Sequence, residues 1–213
     1  KSRTAGFSDV ESRSWRVGGF YQRAADSFAL ELGYEKERAE SKGENGLETE
    51  TNFLSAGIRG PLLPTVNGSV RLGVQERELD RSELDRERAP FYAIGLDWNY
   101  SQLMSFNLNG ERRFVTDSSD RSRDQTTLEL RMSRNLGGPW EAKVGLRYRK
   151  NQFQEANASS ATATVRGVFA GVDYALANWG TLRWTFELDE ARSSEETFNY
   201  QAYRAGLELS ARF

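Results

Sequence analysis

The chain has 213 residues, 28% of them charged, a mean hydropathy of -0.70 and neither His nor Cys. No apolar run approaches the ~18 residues of a membrane helix, and a formal net charge of -2 argues against a nucleic-acid partner. Without Cys there are no disulfides or thiolate sites, and without His there is neither Ser-His nor Asp-His catalysis, nor zinc held by His and Cys.

Low mean hydropathy leaves one membrane architecture open, because only alternate residues of a barrel strand face lipid. Alternation runs through the whole chain. In order, one parity reads Trp15, Val17, Gly19, Tyr21, then Phe28, Leu30, Leu32, Tyr34, then Leu54, Ala56, Ile58, then Val70, Leu72, Val74. It continues with Tyr92, Ile94, Leu96, Trp98, Tyr100, then Met104, Phe106, Leu108, then Thr126, Leu128, Leu130, Met132, then Trp140, Ala142, Val144, Leu146, Tyr148. Val168, Ala170, Val172, Tyr174 and Leu182, Trp184, Phe186, Leu188 follow, and Tyr203 to Phe213 closes the series. A strand sends alternate side chains to opposite faces, so these segments predict eleven strands. Many alternate for about 9–11 residues, the length a tilted strand needs to cross a bilayer.

The connections alternate as well. Gln22–Ser27, Gly60–Gly68, Asn99–Leu103, Asn135–Trp140 and Leu176–Thr181 are compact and rich in turn formers. Lys36–Thr51, Glu78–Pro90, Val115–Gln125, Asn151–Ser160 and Glu190–Thr197 are longer and strongly polar. Aromatics gather at both ends of the apolar stripes: Tyr21, Phe28, Trp98, Tyr100, Trp140, Tyr174 and Phe213 by the short turns, and Trp15, Tyr34, Tyr92, Tyr148 and Tyr203 toward the long loops. A soluble sandwich shares the alternation but has no reason to sort its loops or to carry two aromatic rims.

The last segment puts Tyr203, Ala205, Leu207, Leu209, Ala211 and Phe213 on one face and Arg204, Gly206, Glu208, Ser210 and Arg212 on the other. It resembles the closing strand of Gram-negative outer-membrane β-barrels, whose last residue is typically Phe. That resemblance implies that Tyr203, Leu207, Leu209 and Phe213 form a signal read by the barrel-assembly machinery. The expected fold is all-β: a single up-and-down antiparallel transmembrane β-barrel over residues 1–213, of about twelve strands, with short periplasmic turns and longer external loops. Since bacterial single-chain barrels have even strand numbers, Lys1–Val10 is expected to hold part of a twelfth strand. Otherwise the chain is the C-terminal part of a larger barrel. A start at Lys1, with no apolar leader, reads as a processed or truncated product.

If the apolar parity meets lipid, the other parity lines the lumen. Its basic members are Arg16, Arg59, Arg71, Arg77, Arg113, Arg131, Lys143, Arg147, Arg149, Arg183, Arg204 and Arg212. Its acidic members are Glu31, Glu35, Asp97, Glu111, Glu129, Glu141, Asp173, Glu187, Asp189 and Glu208. So many charges need a wet lumen or pairing across strands. A wet lumen lined by Arg131, Lys143, Arg147, Arg149, Arg183 and Arg204 with Glu129, Glu141, Glu187 and Glu208 predicts a porin for small hydrophilic solutes, anionic ones such as acidic sugars among them. Fully paired charges predict instead a sealed structural or assembly subunit of an outer-membrane complex. A third reading is the C-terminal part of a barrel that resembles exopolysaccharide-export porins.

Neither an enzyme nor a cofactor is expected. Glu187 and Asp189 share a face with Arg183 and read as ion pairs rather than as a general acid and base. Asp117-Ser118-Ser119-Asp120 with Asp124 would suit calcium, and is read as a solvated loop. Asn67-Gly68-Ser69 and Asn157-Ala158-Ser159 match a glycosylation pattern that has no meaning on a bacterial barrel. The expected partners are outer-membrane lipids and lipopolysaccharide, the assembly machinery and a small solute; the charged segments Glu37–Glu50 and Asp80–Arg88 read as solvated, with contact to lipopolysaccharide through divalent cations as the alternative.

Overall fold

The computed structural model describes residues 10–24, 27–41, 48–79, 86–116, 122–153, 161–177, 179–194 and 199–211. These form one antiparallel sheet in which each strand pairs with the next: β1 (Val10–Gln22), β2 (Ala29–Ser41), β3 (Glu48–Leu63), β4 (Val66–Leu79), β5 (Arg86–Ser101), β6 (Met104–Thr116), β7 (Ser122–Gly137), β8 (Trp140–Phe153), β9 (Ala161–Ala177), β10 (Gly180–Ser193) and β11 (Tyr200–Ala211). All eleven expected strands are present in up-and-down order. Among the described residues β1 and β11 are not paired with each other, so the sheet is open along that seam. The expected twelfth strand in Lys1–Val10 lies outside the described residues except for Val10, which begins β1; Arg212 and Phe213 lie outside them too.

The strands run 12 to 17 residues, longer than the alternation alone indicates. Four of the long connections shrink to six residues or fewer and the fifth, between β8 and β9, to seven. The reason is visible on the convex face. Polar segments that read as loop in sequence continue as strand, held by cross-strand ion pairs: Lys36 with Glu50, Arg38 Nε to Glu48 at 2.6 Å, and Arg86 Nη2 to Glu78 at 2.6 Å. Asp124, weighed as a calcium ligand, sits in β7 and accepts two hydrogen bonds from Arg112 Nε and one from Nη2, the last at 2.6 Å. Asp117–Asp120 lies outside the described residues. The short side holds two-residue turns after β3, β5, β7 and β9, whereas β1 and β2 are separated by six residues. That longer turn is tied by the Ser27 amide to the Ala24 carbonyl at 3.0 Å.

Facing directions follow from exposure. Leu30, Leu32, Leu54, Leu72, Leu146, Phe186 and Leu207 are exposed on one face although they are large and apolar. On the other face Phe53, Gln75, Arg77, Phe91, Asp173 and Asp189 are buried. A sheet that exposes its apolar side chains and buries charged ones is inverted relative to a soluble protein, as a lipid-facing wall requires. Two aromatic rims bracket the apolar band. Toward the short turns Trp98 stacks on Phe106 (centroids 5.2 Å apart) and Trp140 lies 4.6 Å from Tyr174 and 6.1 Å from Trp184. Toward the long connections Trp15 meets Tyr34 at 5.2 Å. From Trp140 to Tyr148 the band is nine residues, eight steps that span roughly 27 Å along a strand.

Candidate functional site

All ten charged residues expected to line a lumen fall on the concave face. They divide into two rows across β7 to β11, set by register. In the row nearer the long connections, Glu129 pairs with Arg131 (2.6 Å) and with Arg147 (3.5 Å). Arg147 reaches Glu187 at 3.9 Å, and Arg204 holds Glu187 at 3.2 Å and Asp189 at 2.8 Å. In the row nearer the short turns, Lys143 lies 3.0 Å from Glu141 and 2.7 Å from Asp173. Arg183 grips Asp173 through Nε and Nη2, at 2.9 and 3.0 Å, and meets Glu208 at 3.4 Å. Nine of the ten are therefore ion-paired. Arg149 is the exception: its Nε is buried without a hydrogen-bond partner, and among the described residues no carboxylate lies within ion-pair distance.

Phe169 stands among these charges. The guanidiniums of Arg131 and Arg147 lie 5.7 and 5.5 Å from its ring centroid, within cation–π range. Gly145, its partner in β8, makes this possible: a Cβ there would come 2.2 Å from Phe169 Cζ.

A different construction fills the long-connection end between β2 and β6. The β5–β6 ladder stops at the Tyr92–Arg112 pair. Two residues further along β5 is Pro90, which has no N–H to offer either neighbour. Beyond that point β6 reaches over to β4. The Phe114 amide donates to Gln75 Oε1 at 2.7 Å, and the Arg77 guanidinium lies 4.3 Å from the Phe114 ring. Arg77 is 2% exposed and ion-paired to Glu87. Arg113 crosses the concavity, bonding Glu37 at 2.7 Å and approaching Glu35 at 3.8 Å, with its guanidinium 5.1 Å from the Phe53 ring. Phe53 in turn packs edge-on against Phe91 at 5.8 Å. Three strands, β3 to β5, lie between β2 and β6 along the sheet, so this contact fixes a tight curl.

Sequence reasoning placed Arg77, Arg113 and Glu35 on this face and missed Phe53, Phe91, Phe114, Phe169, Gln75, Glu37 and Glu87. Phe53, Phe91 and Phe169 were legible as aromatics on the polar parity. Glu37 and Glu87 were assigned to loops. Nothing in the sequence marks Phe114, whose position depends on the break in the ladder.

Between the two constructions lies a cavity of about 590 Å³ lined from β2 to β8 by Glu31, Arg59, Ser69, Arg71, Gly95, Asn109, Glu111, Thr127, Glu129, Arg147 and Arg149 among others. A second of about 340 Å³ adjoins it through Glu31, Arg59, Arg71 and Glu111, and opens toward Arg16, Phe20 and Glu35 of β1 and β2. No cluster of potential metal ligands occurs among the described residues.

An inverted, up-and-down sheet with two aromatic rims and a polar concave face defines an outer-membrane-type β-barrel wall. Residues 31–213 match the family described as "Putative beta-barrel porin 2", and the chain belongs to that family. Solved structures share the fold. The outer membrane channel DcaP of Acinetobacter baumannii aligns with TM-score 0.66 at 14% identity, over 92% of this chain and 62% of that one. The FrpB iron transporter of Neisseria meningitidis aligns with TM-score 0.66 at 10% identity, over 93% and 40%. The siderophore receptor PirA of Pseudomonas aeruginosa aligns with TM-score 0.60 at 14% identity, over 97% and 39%. The chain thus spans about two fifths of FrpB and of PirA and less than two thirds of the DcaP channel. No curated protein matches it.

Proposed function

We propose that this chain forms the wall of a channel in a Gram-negative outer membrane that passes small hydrophilic solutes along its charged concave face, without enzymatic activity. The observation that carries the reading is the opposition of the two faces. Apolar side chains are exposed in a band between aromatic rims, while the charged face encloses a cavity of about 590 Å³. Ion pairing leaves Arg131, Lys143, Arg147, Arg183, Arg204, Glu129, Glu141, Glu187 and Glu208 as a polar lining with little net field; Arg149 adds an uncompensated charge.

In this orientation the short turns are periplasmic. The polar convex residues beyond Tyr34 and Tyr148, such as Lys36, Arg38, Lys150 and Arg166, meet lipopolysaccharide head groups. Tyr203, Leu207, Leu209 and Phe213 serve as the strand that the barrel-assembly machinery reads. Conductance in planar bilayers tests the proposal: the purified protein gives steady ion currents, and an electrically silent, correctly folded protein refutes it.

One observation favours a second reading, a structural or assembly subunit with a sealed lumen. Arg113 and the Phe53, Phe91 and Phe114 rings obstruct the external end on the β2–β6 side. The open β1–β11 seam supports a third, in which these strands are part of a larger barrel such as a polysaccharide-export porin, since unpaired edges are not tolerated in lipid. The same recording separates the first two, and the intact mass of the native protein addresses the third.

A further inference from the structure

We infer that the larger cavity is a binding site for a carboxylate-bearing, hydroxylated solute, held between Arg71 and Arg149; this deepens the channel reading and rests on it. The two arginines are placed by register. Arg71 pairs with Ala93, Ala93 with Glu111, Glu111 with Thr127, and Thr127 with Arg149. They therefore stand on one hydrogen-bonded row of the wall, four strands apart, and both line the same cavity. The row measures roughly 19 Å around the sheet at about 4.8 Å per strand, and less across its concave side.

Charge accounting singles out this pair. Arg59 is neutralised by Glu31 at 2.6 Å, and Arg147 by Glu129 and Glu187. Among the described residues Arg71 has no carboxylate within ion-pair distance, and its guanidinium lies 5.3 Å from the Phe91 ring. Among the same residues Arg149 has neither an ion pair nor a partner for its buried Nε. Glu111, between them on the row, lies 3.9 Å from Arg113. Counting Glu111 wholly against the two arginines still leaves a positive excess.

An uncompensated guanidinium is an unmet demand for an acceptor, and its planar fork matches a carboxylate. The space between is left open by small residues, Ala93 and Gly95 on β5, while Ser69, Asn109 and Thr127 supply hydroxyl and amide groups. Those groups suit the hydroxyls of a sugar acid. The cavity volume falls within the range of small-molecule sites.

The test uses the native protein reconstituted in planar bilayers under a potassium chloride gradient, with glucuronate as blocker. The wild type should prefer chloride, and glucuronate should reduce its current. Arg71→Gln with Arg149→Gln should abolish the preference and weaken block by about tenfold or more, the scale of lost charge-assisted hydrogen bonds. The double lysine variant keeps the charge and removes the fork: it should retain chloride preference yet block less well. A wild type that conducts without preferring chloride overturns the inference, as does a glutamine variant indistinguishable from it. Calorimetric titration of glucuronate into the folded protein covers a silent channel. Binding lost in the glutamine variant then upholds the site while the channel reading fails, and no binding by the wild type overturns the site.

Discussion

Two regions of one concave face solve the same problem, charge on the inner side of a barrel-type wall, in opposite ways. At the long-connection end between β2 and β6 two cations are wedged against rings: Arg77, buried, on Phe114 and tied to Glu87, and Arg113, half-buried, on Phe53 and tied to Glu37. Between β8 and β11 the charges are many, partly exposed and redundantly paired, so that Asp173 has two cations and Arg204 two carboxylates. Burial makes the Arg77–Glu87 pair indispensable, because losing the carboxylate strands Arg77 in a dry site. Redundancy and water make each charge in the second replaceable. One region behaves as a structural lock and the other as a tunable lining.

The sharpest way to break this comparison is Glu87→Ala. It leaves Arg77, which is 2% exposed, without its ion-pair partner in a buried setting. The expected loss is about 3–5 kcal/mol, read as a fall in the urea midpoint for unfolding from lipid vesicles. A loss comparable with that of an exposed pair would show that water reaches Arg77 and that the lock does not exist.

Leu207→Arg asks whether the tolerance of the second region belongs to one face only. Leu207 is exposed on the convex side of β11, across from Trp184 in the β10 register. A basic residue there should cost about 2–4 kcal/mol if it sits at mid-depth, whereas Arg204→Ala three residues earlier should be far milder. Equal effects on folding efficiency into vesicles would mean that the convex face does not meet lipid.

The fold was largely legible because a period of two is a local property. Every strand from Trp15 to Tyr203 can be read from one parity of apolar residues. Strand ends were misplaced because Lys36–Ser41 and Glu48–Thr51 look like loop by composition, and only the pairing of Lys36 with Glu50 and Arg38 with Glu48 shows why they stay extended. The charged lining was legible for the same periodic reason. Which charges cancel was not, since that depends on diagonal neighbours such as Arg147 and Glu187 on strands that are not adjacent. The lock lay further beyond reach. It requires a curl that brings β6 to β2, and a proline that interrupts one ladder.

Gly145→Val probes the point where the lining resembles the lock, since Phe169 is the one ring on the concave side of β7 to β11 against which arginines stack among the described residues. A side chain at 145 would begin 2.2 Å from the Phe169 ring and 2.7 Å from the Leu130 carbonyl oxygen, so the ring must move aside and the β7 backbone must give as well. The expected cost is about 1–3 kcal/mol from overpacking, with Arg131 and Arg147 keeping their carboxylates. A shifted conductance with little loss of stability would place Phe169 in the solute path. A loss as large as that of Glu87→Ala would make it a second lock.

The smallest expected effect is the most pointed for the lining. Lys143→Gln removes one of the two cations on Asp173, which is buried, yet Arg183 remains bidentate on the same carboxylate at 2.9 and 3.0 Å. Glu141 loses its partner but is only half-buried and can turn to water. The stability change should therefore stay within about 1 kcal/mol. Removing Arg183 as well takes away both cations, so the double variant should lose far more than the sum of the single losses. That non-additivity, measured as a double-mutant cycle on urea midpoints, is the signature of redundancy. Strict additivity would mean that Lys143 and Arg183 act separately, and the contrast with the β2–β6 lock would then be one of exposure alone.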